Sequence, residues 1–504
     1  MNLRAVLRAT ASVMIIVGVA MLSGVPVGML MGDAPADTRK LTLCALAAIA
    51  FGALAVLRVR PGLVFGRRDG FAVVTLGWVV ATAFGAMPFI LIGQMHWYDA
   101  VFETMSGFTT TGASVLERGL GRRGGGVFAL GIADLSYGLI YWRAMTHWLG
   151  GMGIVVLSMA VLPWLGIGAQ QLYRAEVPGP TSDRITPRIA DSAKILWGVY
   201  LLLSVVQTVL LCAGGMPLFD AWCHTCATMG TGGFSTRQES VAFYNSAYID
   251  GVITLFMFLA GANFVLHYRT LRGELGSLWR DEEFRFYLAL VLLATASIAF
   301  QLTGGEIVTS TGTRLAAVSF PTALRYAAFQ VTSLVTTTGF VTADFSLWPA
   351  YCVAVLLLLM FLGGCAGSTG GGLKQSRLLL LLRYSVFQVE RCVFHRSLSN
   401  VRFNGQRVDS AVLHKTLAFF FLFVGTLAAV TLALCLLGVD DLTTAATAAI
   451  ASLGNVGPGL GKVGAMYTYA WMTPAAKLLL SFAMLLGRLE IYTVLVMFLP
   501  SFYR

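Results

Sequence analysis

Apolar residues in this chain come in runs long enough to cross a bilayer, and that constrains its fold more than any other feature. A crossing needs about 20 mainly apolar residues at a rise of about 1.5 Å each. Such stretches occupy residues 10–31, 41–57, 71–94, 136–163, 194–214, 249–268, 286–303, 347–382, 412–437 and 474–499. The 504 residues are 57% hydrophobic and only 12% charged, against about 25% charged in a soluble domain. An all-α polytopic membrane protein with ten crossings is therefore expected. Arg4 and Arg8 precede the first run in the manner of a signal peptide. That run is too long for one and a second follows at once, so a retained first helix is expected. The eight cysteines lie mostly within apolar runs, where a thiol packs as a small hydrophobe and implies no disulfide framework.

The net charge of +11 does not read as nucleic-acid binding, because the basic residues sort by side. They gather at Arg4 and Arg8, at 58–68, at 174–194, at 269–285 and from Lys374 to Lys415, all in alternate connections. Basic residues favour the cytoplasmic side of short loops, which puts both termini in the cytoplasm. The basic segment from Lys374 to Lys415 reads as a long cytoplasmic loop in contact with anionic lipid.

Four short stretches look like copies of one another: Phe108 to Ala113, Met229 to Phe234, Val335 to Phe340 and Leu453 to Pro458. Each carries an apolar half-helix into a glycine turn. Asp99 lies 13 residues before Gly112 and Asp220 lies 12 before Gly232, so an Asp cap, a half-helix and a turn fit both. Asp440 and Asp441 precede a fourth such half-helix, and Pro321 opens the third, where a missing N–H costs nothing. Each half-helix C-terminus carries a partial negative charge of about half an electron. Irregular backbone at membrane depth must line water or be buried in protein. Four re-entrant turns therefore call for a common axis, where their oxygens can replace the water around a cation. The organisation expected is two leading helices over 1–69, then four membrane–pore-loop–membrane repeats over 70–165, 190–272, 284–400 and 410–504, arranged as a pseudo-fourfold pore.

The same residues resemble the Trk/Ktr/HKT superfamily of potassium transporters, and within it the bacterial Trk-type transmembrane subunit. Thr109 to Ser114, Gly232 to Thr236, Thr337 to Phe340 with Thr342 to Asp344, and Gly454 to Gly459 resemble its four filter loops. His147 to Gly153 and Gly487 to Glu490 resemble further family segments. The resemblance implies potassium as the transported ion and Gly112, Gly232, Gly339 and Gly457 as filter glycines. Thr110, Thr111, Gly230, Thr231, Thr337, Thr338, Asn455 and Val456 stand beside them. It also implies a homodimer with one pore per protomer, a cytoplasmic nucleotide-binding regulatory subunit of the Trk-A type, and a bacterial inner-membrane location. No organic cofactor is implied. A glycine at 112 favours potassium over a sodium-permeable member, the alternative within the family.

Gly363, Gly364, Gly367, Gly370, Gly371 and Gly372 interrupt the third repeat's second crossing, and each glycine costs a helix interior about 1 kcal/mol relative to alanine. By resemblance this loop, with Lys374, is a gate below the filter, and Arg488 faces the pore there as a positive barrier. A charge inside an apolar helix usually marks an ion path. The pair Arg488 and Glu490 cannot face each other two residues apart. Leu373 spoils the phosphate-loop pattern. Arg143 and His147, four apart, read as helix packing and interfacial anchoring. Cys223 and Cys226 lack a second ligand pair for zinc, and Asn263 is expected to pair with backbone near the pore. No constellation for an intramembrane enzyme is found.

Overall fold

A computed structural model describes residues 2–59, 66–117, 131–153, 189–393 and 401–502. The far end of the 136–163 stretch, the basic positions 60, 118, 122, 123, 174, 184 and 188, and residues 394–400 lie outside it. Two leading helices, Leu3–Leu22 with its continuation Gly24–Leu30 and Pro35–Arg58, pack on each other and the first also packs on Arg67–Leu91. Gly18 and Gly52 let the two backbones meet, since a Cβ at either would press on the facing carbonyl of Ala45 or Ala11, the small-residue contact usual between membrane helices. Arg8 is buried within the first helix, its guanidinium donating to the carbonyls of Val56 and Val59. Those carbonyls lie in the last turn and cap of the neighbouring helix and lack intrahelical partners.

The remainder repeats one unit. Full-length helices Arg67–Leu91, Ile189–Ala213, Glu282–Leu302 and Ser410–Leu436 each precede a half-helix: Trp97–Phe108, Leu218–Met229, Phe320–Val335 and Leu442–Leu453. A return helix follows each turn: Tyr137–Gly151, Ala247–Ala260, Ala350–Phe361 and Pro474–Arg488. Among the described residues six helices are long and apolar enough to cross a membrane. The strands are confined there to two short hairpins, Ile307–Val308 with Arg314–Leu315 and Arg402–Phe403 with Gln406–Arg407.

Three expectations change. The 249–268 stretch bends by 102° between Ala260 and Phe264, and the 474–499 stretch bends by 109° between Arg488 and Tyr492. The second and fourth repeats are thus broken at the place where only the third was expected to break. The segment from Lys374 to Lys415 is not a loop, since it holds the helix Gln375–Val393, a hairpin and the start of Ser410–Leu436. Asp99 and Asp220 do not cap their half-helices. His96 and Pro217 hold the cap positions, and the two carboxylates sit one turn in, bonded to Lys477 and Arg237. Asp441 does cap its helix, accepting from the amides of Thr443 and Thr444.

Each half-helix packs on its own first helix and on the return helix of the repeat before it, so that the first half-helix meets the fourth return helix. The circle of repeats therefore closes within one chain. Buried or half-buried ion pairs fasten two of these junctions: Lys477 to Asp99 at 2.6 Å and Arg325 to Asp250 at 2.7 Å. Lys477→Met strands the buried Asp99 carboxylate and is expected to destabilise the protein by about 3–5 kcal/mol. The check is thermal unfolding in detergent, with Lys477→Met/Asp99→Asn recovering part of the loss.

Candidate functional site

The four half-helices end in one way. The amide of Thr111 bonds the carbonyl of Ser106 and that of Thr110 bonds Gly107; the corresponding amides are Gly232 and Thr231, Thr338 and Thr337, and Val456 and Asn455. This is the Schellman pattern, whose turning residue is left-handed. That residue is Thr110, Thr231, Thr337 or Asn455, with φ of 55°, 53°, 59° and 54°. Three of the four are β-branched, for which positive φ is an outlier, and strain of this kind concentrates at functional sites.

Two residues on, φ is again positive at Gly112 (81°), Gly233 (77°), Gly339 (81°) and Gly457 (99°). The second turn is thereby out of the expected register by one: Gly233, not Gly232, matches the other three, and Gly230 is the helix cap. A Cβ on Gly112 would land on the carbonyl oxygen of Gly232, one on Gly233 on that of Thr338, one on Gly339 on that of Val456, and one on Gly457 on that of Thr111. Each glycine abuts the carbonyl just before the next repeat's glycine, and the fourth returns to the first. The result is a closed circuit of four bare Cα atoms and four peptide oxygens.

Threonine hydroxyls beside the circuit have protein partners. Thr109 and Thr111 pair at 2.8 Å, as do Thr336 and Thr338. Thr337 Oγ1 accepts from the amide of Gly371 at 2.7 Å, and Thr110 Oγ1 accepts from Arg488 at 3.1 Å. Asn455 Nδ2 bonds Thr111 Oγ1 and the Met484 carbonyl. The circuit itself is made by the peptide oxygens of Thr111, Gly232, Thr338 and Val456.

One cavity, lined by Gly112, Gly233, Gly339 and Gly457, lies on one side of the turns. Another, lined by Gly151, Asn263, Gly370, Gly371 and Arg488, lies on the other. The glycine-rich loop from Gly363 to Gly372 reaches the underside of the turns, where a Cβ on Gly371 would press on the Gly454 carbonyl and on Asn455. Arg488 spans this space, donating to Thr110 Oγ1, to the Thr369 carbonyl at 2.6 Å, and to the carbonyls of Gly150 and Gly151 at 2.6 and 2.8 Å. Glu490 pairs with Arg377 at 2.6 Å instead of Arg488. Lys374 turns back on the Gly370 carbonyl. Asn263 caps the helix Phe264–Leu271 and faces Gly367.

A profile of the TrkH family, described as a cation transport protein, matches residues 39–502. This chain belongs to the TrkH family. The family is one of transport proteins, not enzymes. The chain is 39% identical over 445 residues to the Trk system potassium uptake protein TrkH of Salmonella typhimurium, covering 87% of this chain and 86% of that one. It is 35% identical over 449 residues to the TrkG protein of Escherichia coli K12, covering 88% and 87%. The crystal structure of the potassium transporter TrkH from Vibrio parahaemolyticus superposes with a TM-score of 0.85 at 32% identity, covering 100% of both chains.

Behind the turns of this TrkH-family chain lies a set of bolts that sequence reasoning missed. Glu103, nine residues before Gly112, accepts from Ser114 Oγ at 3.0 Å and from the amide of Val115 at 2.9 Å. His224, nine before Gly233, bonds Ser235 Oγ at 3.0 Å. The shared spacing of Glu103 with Ser114 and His224 with Ser235 was the available signal, and it also supports the register at Gly233. Gln330 holds the third such place and finds no hydrogen-bond partner among the described residues. In the fourth repeat Thr447 takes over, accepting from the amide of Leu460 at 2.9 Å.

Arg143 does not anchor an interface. It is buried, paired to Glu103 at 2.7 Å, bonded to the Ser235 carbonyl at 3.0 Å, and stacked 3.5 Å over Phe234. His147 stacks on the same ring at 4.0 Å. Helix packing is their role, directly behind the second turn. Cys223 and Cys226 are buried in the second half-helix, and both ring nitrogens of His224 are occupied, by the Asp220 carbonyl and Ser235. At the far end of that helix burial opposes ionisation of Asp220, but Thr236, Tyr244 and Arg237 outweigh it and hold the carboxyl below its ordinary value.

Gly233→Ala forces a side chain into a left-handed conformation, at a cost of about 1–2 kcal/mol, before its overlap with the Thr338 carbonyl is counted. Gly251 has open space around its Cα, so Gly251→Ala is expected to be neutral or to stabilise by about 0.5–1 kcal/mol. Parallel thermal unfolding of the two variants checks the difference.

Proposed function

We propose that this chain takes up potassium across the bacterial cytoplasmic membrane through a narrow filter made of the four glycine turns. The observation that carries this reading is the closed circuit of glycines and carbonyls. Peptide oxygens from four sides can take the place of an ion's hydration shell. Four half-helices end at that circuit, and their C-termini favour a cation. The relatives named as potassium uptake proteins support the choice of ion. Potassium is the cargo, held at residues 110–112, 231–233, 337–339 and 455–457. The distribution of basic residues supports cytoplasmic termini and an outward-facing filter.

The loop from Gly363 to Gly372 acts as the gate in this reading. Arg488, in contact with both the loop and Thr110, places a positive charge beneath the filter and raises the barrier to a cation. The cytoplasmic face, basic and rich in short elements, would dock a nucleotide-binding regulatory subunit of the Trk-A type, with two copies of the chain forming a homodimer.

Rubidium uptake into vesicles containing the purified protein tests the function, and potassium is expected to compete more strongly than sodium. Absence of rubidium uptake would sink the reading. At an effective dielectric of about 20, removing a unit charge several ångströms from the path is worth a few kcal/mol. Arg488→Ala is therefore expected to raise rubidium flux at least about tenfold, and unchanged flux would remove the arginine from the gate.

A further inference from the structure

Glu283 is a buried carboxylate in the first turn of the helix Glu282–Leu302. Its Oε1 accepts two backbone N–H bonds, from Ala366 at 2.7 Å and from Ser376 at 2.8 Å. Ala366 belongs to the entry limb of the glycine-rich loop, and Ser376 to the first turn of the helix that leaves it. One oxygen atom therefore joins the two shoulders of the loop across the glycines between them. Each of the loop's other ties to the body, such as Cys365 N to the Gly261 carbonyl, Gly371 N to Thr337 Oγ1 and Arg488 to the Thr369 carbonyl, holds a single point. Among the described residues no other carboxylate bonds the loop.

The helix start that carries Glu283 is itself pinned. Asp281 Oδ1 accepts from the Phe284 amide at 2.8 Å. Asn404, in the tight turn of the Arg402–Arg407 hairpin, donates its amide to Glu282 at 2.9 Å and its Nδ2 to Asp281 at 2.9 Å, and accepts from the Glu282 amide at 2.8 Å. Arg383 closes the cluster on Glu282 at 2.6 Å. With φ of 48° and 75°, Asn404 and Gly405 form the compact two-residue turn that suits an Asn-Gly pair. A rigid support thus fixes the carboxylate relative to the loop.

We propose that Glu283 is the positioning residue that latches the glycine-rich loop in its closed arrangement, with the Asn404 hairpin as its anchor. The proposal rests on the reading of that loop as the gate. Disengaging Glu283 frees both shoulders at once, whereas losing any one of the other ties frees a single point.

The native thiol of Cys365, 1% exposed and next to Ala366 in the loop, reports on the latch directly. In full-length protein with Cys212, Cys392 and Cys435 replaced by serine, a membrane-impermeant maleimide is applied and the Cys365 peptide is followed by mass spectrometry, alongside rubidium flux. Glu283→Ala is expected to raise both the labelling rate and the flux about tenfold, in line with losing two backbone-to-side-chain bonds. Glu283→Gln, whose amide oxygen still accepts from both shoulders, restores both to near the parent values. Glu283→Asp is one methylene too short to bridge both, and shifts the two readouts in the direction of alanine if the alanine protein does not purify. A side chain needed only for folding would lower flux and would not be rescued in this way. Parent-like labelling and flux in Glu283→Ala overturn the latch. If Arg488→Ala raises flux while Glu283→Ala does not, the latch falls and the gate stands; if neither raises it, both fall.

Discussion

The contact on which everything else in this protein rests is a peptide oxygen lying against a Cα that has no side chain. It occurs four times, at Gly112, Gly233, Gly339 and Gly457, each facing the carbonyl of the next repeat. A methyl group at any of them would displace the neighbouring turn, because the space it needs is already filled by backbone that cannot rotate away. The ring therefore closes only with glycine at these corners, and its closure sets how near the four half-helices come to one axis. Each turn is entered through a left-handed threonine or asparagine, a conformation that unfavourable sterics would normally reject. It persists because the helix-end bonds on one side and the ring contact on the other leave the residue no alternative.

Around that ring the repeats are similar in backbone and different in chemistry. The first turn is held by a buried carboxylate and guanidinium, Glu103 and Arg143, and the second by the imidazole of His224. The fourth is held by the hydroxyl of Thr447, while Gln330 leaves the third without the equivalent bond among the described residues. Paired threonines stand behind the first and third turns. A fourfold backbone thus carries a lower-symmetry set of supports. The third turn is held instead by Ser333, whose hydroxyl donates to the Phe340 carbonyl at 2.7 Å, and the glycine-rich loop touches it through Thr337 and Gly371.

Beneath the ring, the described return helices of the second, third and fourth repeats all stop or bend at one level, at Ala260, Phe361 and Arg488. A helix stopped inside a membrane leaves carbonyls without partners, and the protein uses them. The guanidinium of Arg488 gathers carbonyls from Gly150, Gly151 and Thr369. The amide of Cys365 takes that of Gly261. The loop and the arginine are thus part of how the broken helices are satisfied, and any movement of one redistributes bonds among all of them.

Composition and the spacing of apolar runs determined that the chain is a helical membrane protein, since only helices and closed barrels satisfy backbone polar groups in lipid. The recurrence of small-residue turns after apolar half-helices determined that there are four repeats, and the glycine run from 363 to 372 marked one break. These are local properties, readable because each depends on a few consecutive residues. The register of the second turn was not readable in this way: Gly230, Gly232 and Gly233 are chemically the same, and only the φ values and the facing Thr338 carbonyl distinguish them. Nor could sequence place Glu103 against Arg143, Lys477 against Asp99 or Glu283 across the loop, because the partners lie between 40 and 378 residues apart. The bends at 261–263 and 489–491 were hidden for a related reason. Their segments are apolar enough to continue as helices, and it is the half-helix turns packed against them that require them to stop.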